Sequence, residues 1–400
     1  MRKLVSTVTS REYPFERLAE FADNGEALEV AMAGLERARP RPGSYLWERF
    51  AEFLPFKAMD AAVSLGEGNT PLVEACARLK AYAGVDRLWL KNETQNPTWS
   101  FKDRGTLACI FMARQMGERT TATISTGNMG HSVAAYAARA GIRALVFVPE
   151  FAPREKLMAM TLHGATVLRV RAPDYAEMKQ AVLGLAKEFN LRIVSGNGPI
   201  RVEGYKLTAF ELYEQSRGEL PDYIAVPTSA CGHIRGLFKG FRELLAAGLI
   251  RRLPRMIVVQ AANNSPIVSA LKQGLKHVIP FTNFHTVAEA ITTGNPMGGD
   301  EIISKACQHN WLAEDATEAE ILEAQRVLAQ AGWFVEPATA TTLGAVRKLR
   351  AAGRIAAGES VVLMLTGAGL KDLDALKHHA FTIVESDLAQ VRRDLQRALG

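Results

Sequence analysis

Asn96-Pro97-Thr98-Trp99-Ser100-Phe101-Lys102-Asp103-Arg104-Gly105 is the stretch on which the reading of this chain turns. Ser100 followed three residues later by Asp103 has the form of a capping box, with Asp in place of the longer Glu. The pattern predicts a helix that starts here, with Lys102 in its first turn. The backbone dipole at a helix start is positive and disfavours an ammonium. Burial would depress the lysine pKa further. A lysine that spends time neutral is a nucleophile for a carbonyl carbon. On spacing alone, an ordinary surface lysine in a first turn fits the same pattern.

Outward from this segment, short β-branched or apolar runs alternate with Ala-rich helical stretches. The runs are Arg87–Lys91, Thr121–Ser125, Ala144–Pro149, Thr166–Val170, Arg192–Ser195, Tyr223–Pro227, Met256–Gln260 and Val361–Thr366. The expected helices include Thr106–Gly117, His131–Ala140, Tyr175–Phe189, Gly204–Gln215 and Glu318–Ala331. This alternation predicts an α/β fold with mainly parallel sheets. Ligands in such folds bind where strands end and helices begin. Residues 1–60 read as a helical lead-in of mixed polarity, interrupted by Pro40, Pro42 and Gly43.

Composition narrows the class. The 400 residues are 48% hydrophobic and 22% charged, which excludes a disordered or fibrous chain. The net charge of +6 is small for this length, so its basic stretches read as solvated surface and no nucleic-acid partner is expected. No apolar run approaches the ~18 residues that span a bilayer. Ser6, Thr7, Thr9, Ser10 and Arg11 break any signal-peptide core. Cys76, Cys109, Cys231 and Cys307 are widely separated, with no C-x-x-C pair. A reducing cytoplasm and no metal site are therefore expected.

Three further loops carry chemistry. Ser125-Thr126-Gly127-Asn128-Met129-Gly130 lies between a strand and a helix. Amides at such a helix start hold anions, although a plain Gly/Asn turn has the same composition. Pro227-Thr228-Ser229-Ala230-Cys231-Gly232-His233 has the setting of a phosphate-cradling loop with only one glycine, and His233 fits a cap of the next helix equally well. Thr366-Gly367-Ala368-Gly369-Leu370-Lys371-Asp372 begins like a dinucleotide fingerprint but has Asp372 where its third glycine belongs.

In sequence and in order, these segments resemble the threonine synthase family of the tryptophan-synthase-β-like fold group (fold type II). The lysine segment resembles that family's pyridoxal phosphate (PLP) attachment site. Leu65-Gly66-Glu67-Gly68-Asn69-Thr70-Pro71-Leu72 and Leu90-Lys91-Asn92-Glu93 are similar to its lead-in. Thr366–Asp372 resembles Thr-Gly-His-Gly-Leu-Lys-Asp, and Gly198–Thr208 resembles Asn-Pro-x-Arg-x-Glu-Gly-x-Lys-Thr. Gly294-Asn295-Pro296 and Glu336-Pro337-Ala338-Thr339-Ala340 also match, as supporting structure.

The resemblance implies two three-layer α/β domains with PLP in the cleft between them. The large domain would comprise 61–104 and 201–400, the small one 105–200, and 1–60 would pack on the large domain. Lys102 would carry PLP, with Phe101 beside it, Asn128 on the 3′-oxygen, Thr366 on the pyridine nitrogen, and Ser229, Ala230, Cys231, Gly232 and His233 around the phosphate. Ser125, Thr126, Gly127 and Met129 would take the substrate α-carboxylate. Arg201 would take the phosphate of O-phosphohomoserine, unless it forms a surface ion pair with Glu203 or a neighbour. The implied reaction turns O-phosphohomoserine and water into threonine and phosphate, with Lys102 moving protons at Cα and Cβ. A homodimer is implied as well.

Departures from the family bear on the substrate. Trp99 stands where Gly is usual, and would fill pocket volume. Ser195-Gly196-Asn197 replaces a polar stretch near the distal phosphate. Ile291-Thr292-Thr293 lacks an Arg, and Ala368 replaces a His. The alternative is β-replacement or β-elimination on O-phosphoserine or a similar short amino acid, as in cysteate synthase. A non-catalytic amino-acid-binding paralogue and an NAD oxidoreductase are weaker alternatives.

Overall fold

The computed structural model describes residues 2–15, 21–22, 24–56, 59–125, 127–150, 152, 154–172, 175–282 and 284–399. The chain forms an α/β structure with two parallel sheets, as expected. The larger sheet has six strands in the order Leu312–Ala316, Arg255–Ala261, Tyr223–Pro227, Ser360–Leu365, Arg87–Asn92, Leu72–Glu74. All neighbours are parallel except the last pair. Every residue of Tyr223–Pro227 and Ser360–Leu365 is buried, as befits strands covered on both faces.

The two-residue period of the strands distributes side chains between two cores. Ile224, Val226, Met256, Val258, Val362 and Met364 face the layer containing Gly232–Ala246 and Leu207–Gln215. Tyr223, Ala225, Ile257, Val259, Leu363 and Leu365 face Pro337–Ala351, Glu318–Gln330 and Ala77–Ala83.

The smaller sheet runs Thr120–Ile124, Arg143–Pro149, Thr166–Val170 in parallel. The expected strand Arg192–Ser195 is reduced to one bridge, Ile193 to Ala122. The helix expected over Gly204–Gln215 is two helices, Pro199–Tyr205 and Leu207–Gln215. The first crosses Lys102–Gln115 at close range through two glycines. A Cβ on Gly204 would lie 2.2 Å from the Arg104 carbonyl oxygen, and one on Gly105 would lie 2.6 Å from Arg201 Cγ.

Residues 1–60 depart from the helical lead-in. They hold an antiparallel sheet of Arg2–Ser6, Glu12–Pro14 and Leu28–Met32, with a single short α-helix, Leu46–Arg49, among the described residues. The strands are too short for their period to stand out from the polar surroundings. Only Leu4 and Ser6 on the first, Tyr13 on the second and Leu28 and Val30 on the third are buried. Leu28–Met32 packs against Pro199–Tyr205.

Candidate active site

Tyr223–Pro227, Ser360–Leu365 and Arg87–Asn92 are consecutive in the large sheet and parallel. The segments that follow their carboxyl ends are therefore neighbours. They are 228–233, 366–372 and 93–102, three of the four singled out above. The fourth, 125–130, follows the first strand of the small sheet and meets them from the other side.

Lys102 opens the helix Lys102–Gln115. The capping box does not form. The Asp103 carboxylate instead accepts from the Thr98 N–H at 2.6 Å, the Thr98 hydroxyl at 2.5 Å and the Ser132 hydroxyl at 2.6 Å. Ser100 Oγ is left without a hydrogen-bond partner among the described residues. The short Asp side chain is drawn to the loop before it, so the loop Thr98–Phe101 is tied down from inside. Burial raises the Asp103 pKa to about 6, against those three hydrogen bonds. The Phe101 N–H donates to the Thr366 carbonyl at 3.0 Å and the Ala368 N–H to the Trp99 carbonyl at 3.0 Å, stitching the lysine segment to the strand end at 366.

Lys102 is partly open to the cleft, and its Nζ stands 4.4 Å from the centre of the Phe101 ring. Desolvation, reinforced by the nearby Arg201 guanidinium and opposed by Glu336, lowers its pKa from 10.5 to about 7. Such an amine is substantially neutral at physiological pH. Capture of an aldehyde by Lys102 should accordingly speed up as pH rises and level off above about 7. Stopped-flow absorbance of PLP mixed with the cofactor-free protein measures this. A profile still rising steeply at pH 9 contradicts the arrangement.

The loop 228–233 leads into the helix Gly232–Ala246. Cys231 adopts a left-handed conformation (φ 71°) to make the turn. Burial pushes its thiol pKa far up, so Cys231 is no nucleophile. A Cβ on Gly232 would lie 2.1 Å from the Gly196 carbonyl oxygen. Gly232→Ala must therefore displace the loop. It is expected to weaken PLP binding by about 10-fold or more, measured by equilibrium titration of the visible band.

Ser229 Oγ is 2.7 Å from Thr293 Oγ1, and Ala230 is half-buried beside it. His233 is no surface cap. It is 5% exposed and stacked on Phe101 at 4.0 Å, and neither ring nitrogen has a partner among the described residues. Burial lowers its pKa to about 3, opposed by Glu93 and reinforced by Lys102 and Arg104.

Thr366 is buried at the strand end, with its hydroxyl 2.9 Å from that of Thr339. Asn128 starts the helix Asn128–Ala140 and donates through its amide to Glu336 Oε2 at 2.9 Å. Ser125 Oγ accepts from the Gly127 and Gly130 N–H groups at 3.4 and 3.1 Å, folding the loop upon itself. Gly127 and Met129 are half-buried there, while Thr126 lies outside the described residues.

Arg201 is not on the surface. It is fully buried and reaches Thr106 Oγ1 at 3.1 Å and the Lys102 carbonyl at 3.4 Å. Glu203 instead contacts Lys206 and Lys239. Trp99 is 46% exposed at the mouth of the cleft, in the left-handed region (φ 62°), where an L-residue is strained by about 1–2 kcal/mol and glycine is not. That backbone geometry accounts for glycine being usual at this position.

Glu336, Thr339, Lys371 and His131 also face the site, and none was among the expected site residues. Glu336 sits at the N-cap of Pro337–Ala351, and burial raises its pKa to about 6. The signal for it was present in the quoted Glu336-Pro337 pair, a helix start aimed at strand ends. Lys371 lay in the quoted Thr366–Asp372 motif, whereas His131 had no separate signal, because its approach to Lys371 is purely tertiary.

An amine held near neutrality at a helix start, below the carboxyl ends of parallel strands, defines an enzyme built to hold an aldehyde cofactor. The chain belongs to the pyridoxal-phosphate dependent enzyme family, whose profile matches residues 63–367. Within it the chain is a member of the threonine synthase family. It is 39% identical over 329 residues to threonine synthase of Methanocaldococcus jannaschii, covering 82% of this chain and 81% of that one. It is 36% identical over 350 residues to the threonine synthase of Methanosarcina acetivorans, covering 86% and 85%. Among solved structures, maize serine racemase superposes with a TM-score of 0.66 at 20% identity, covering 85% of this chain and 95% of that one. Threonine deaminase isoform 2 of Solanum lycopersicum gives 0.65 at 19%, covering 91% and 92%. These structural likenesses concern the fold, which is that of fold type II enzymes.

Proposed function

We propose that this chain is a threonine synthase, converting O-phosphohomoserine and water to threonine and phosphate. The observation that carries the reading is the enclosed Lys102 amine amid the strand-end loops, in a chain whose relatives named above are threonine synthases. The residues present fit PLP. His233 and Ser100 carry buried polar atoms without partners among the described residues, beside Lys102 and at the start of the helix Gly232–Ala246. In this reading Lys102 and Phe101 hold the aldehyde end and Ser229–His233 the phosphate. Thr366, steadied by Thr339, faces the ring nitrogen, and Asn128 takes the 3′-oxygen.

When bound, PLP supplies an electron sink for carbanions next to the substrate nitrogen. The chain does the rest. Loop 125–130 orients the substrate carboxylate with its amides. Lys102, once free, carries protons between Cα and Cβ, a task suited to an amine with a pKa near neutrality. Thr366 offers the ring nitrogen a neutral hydroxyl, which does not force that nitrogen to be protonated. Arg201 sets the charge around Lys102 from beneath.

A second reading, O-phosphoserine as substrate, is favoured by one observation: the half-exposed Trp99 indole at the cleft mouth. Phosphate release with the two substrates side by side, with products identified by mass, tests both. Threonine from O-phosphohomoserine alone supports the first, and release from O-phosphoserine alone overturns it. We also propose a large unit of 61–104 and 201–400, a small one of 105–200, and a homodimer in the cytoplasm. Support for the dimer is the apolar stretch Phe381, Ile383, Val384 and Leu388, all more than half exposed. Support for the cytoplasm is four free cysteines. Among the described residues no helix is long and apolar enough to cross a membrane.

A further inference from the structure

The loop 228–233 runs into the helix Gly232–Ala246, and the first turn of that helix holds a fully buried arginine, Arg235. Its Nη1 donates to both oxygens of Asn197, the carbonyl at 2.9 Å and Oδ1 at 2.7 Å. Its Nη2 donates to the Leu28 carbonyl at 2.9 Å. Its Nε lies 2.8 Å from Glu301 Oε2, to which the Thr7 hydroxyl also donates at 2.8 Å. One guanidinium thus joins the helix start, the segment 195–197, the N-terminal sheet and the helix Gly299–Gln308. Farther along the same helix, Arg242 repeats the tie to the sheet by pairing with Glu29 at 2.5 Å.

The bonds to Asn197 close a ring around the loop. A Cβ on Gly232 would meet not only the Gly196 carbonyl oxygen but also Asn197 Cα, at 3.2 Å. Thr228 and Ser229 are fixed by hydrogen bonds of their own, to the Val259 carbonyl at 2.8 Å and to Thr293 at 2.7 Å. Ala230 and Gly232 have no polar side chain, and Cys231 makes the turn in the left-handed region. The second half of the loop therefore takes its place from 196–197, and 196–197 take theirs from Arg235. A buried guanidinium needs a carboxylate for its charge, and Glu301 supplies it. The bonds to Asn197 go beyond that need, and they bear on the loop. A planar fork with five N–H donors can hold Asn197 and Leu28 at once, which an ammonium on a flexible stem cannot.

We propose that Arg235 is a positioning residue for the cofactor phosphate. By holding Asn197 against the helix start, and both against the N-terminal sheet, it fixes the backbone N–H groups of 230–233 at the spacing a phosphate requires. This rests on the reading above that 228–233 holds the phosphate of PLP. It also gives the N-terminal sheet a part in the site, as the outer brace of the cradle.

The test compares PLP with 5-deoxypyridoxal, which has the same ring and aldehyde and a methyl group in place of the phosphate ester. Each is titrated into cofactor-free protein and read by the visible band of the lysine-bound form. Arg235→Met should weaken PLP by about 20-fold, with 5-deoxypyridoxal changed by less than about 2-fold. Arg235→Lys keeps a charge beside Glu301 without the fork, and should leave PLP weaker by at least about 5-fold. Full recovery of PLP affinity in the Lys variant, equal losses for both ligands, or an unchanged PLP affinity in a folded Met variant overturns the proposal. If the Met variant does not fold, Asn197→Ala decides. It removes the Oδ1 acceptor and no other side-chain hydrogen bond among the described residues, since Asn197 Nδ2 has no partner there. It should weaken PLP alone, by about 5-fold, and an unchanged PLP affinity overturns the proposal. A wild-type protein that binds both ligands equally overturns the reading of 228–233 as the phosphate loop. Equal losses in variants of a wild type that prefers PLP overturn the role of Arg235 alone.

Discussion

Lys102→Ala is expected to lower turnover by at least about a thousandfold, because it removes both the attachment point and the proton carrier. The visible band of lysine-bound cofactor should vanish with it. A variant that keeps both band and activity would end the assignment of this residue. A second effect separates function from stability. In the cofactor-free protein the Lys102 pKa falls from 10.5 unfolded to about 7 folded. Between those values the unfolded chain binds a proton that the folded one does not. Stability from this group therefore rises with pH across that window, and is least below about 7. Lys102→Met should make the cofactor-free protein more stable near neutral pH and flatten that rise, as seen in urea midpoints between pH 6 and 9. The site lysine is maintained against the stability of the fold.

The second large effect lies behind the lysine helix. Arg104 is fully buried and donates to Glu93 through Nε at 2.6 Å and Nη2 at 2.7 Å, and to Glu211 through Nη1 at 2.7 Å. Lys91 donates to Glu211 at 2.6 Å, and Thr70 Oγ1 to Glu93 at 2.7 Å. Two cations thus share two carboxylates out of contact with water. Glu211→Gln leaves one excess positive charge inside, which should cost about 3–5 kcal/mol. Urea denaturation measures it. Adding Lys91→Met restores the charge balance and should recover part of the loss, whereas a loss of under 1 kcal/mol for the single variant would show that the cluster is not the anchor proposed.

That cluster explains what was legible and what was not. Thr70, Lys91, Glu93 and Arg104 all fall in segments that sequence resemblance picks out, yet none of them is a site residue. They meet in one ion cluster behind the lysine helix. Strands such as Tyr223–Pro227 and Thr166–Val170 were readable to the residue, since each is a short run dominated by apolar or β-branched residues and preceded by turn residues. Leu312–Ala316 was not, because Glu314 and Asp315 interrupt it and ion pairs with Lys272 make them tolerable at a sheet edge. The N-terminal sheet was hidden by its shortness. Asp103 was misread as a cap because local spacing says nothing of Thr98 and Ser132, which compete for the same carboxylate. Arg201 was placed in the right neighbourhood but at the wrong depth, which only the Gly105–Gly204 crossing reveals.

The division of loops between sheets has a consequence for the working cycle. Lys102, the start of Gly232–Ala246 and Thr366 all follow strands of a single sheet, and backbone hydrogen bonds stitch the lysine segment at 99–101 to 366–368. The carboxylate-facing loop belongs to the other sheet. In the reading proposed above, displacement of the small sheet would move that loop while the lysine, phosphate and ring-nitrogen contacts stay together on the large one.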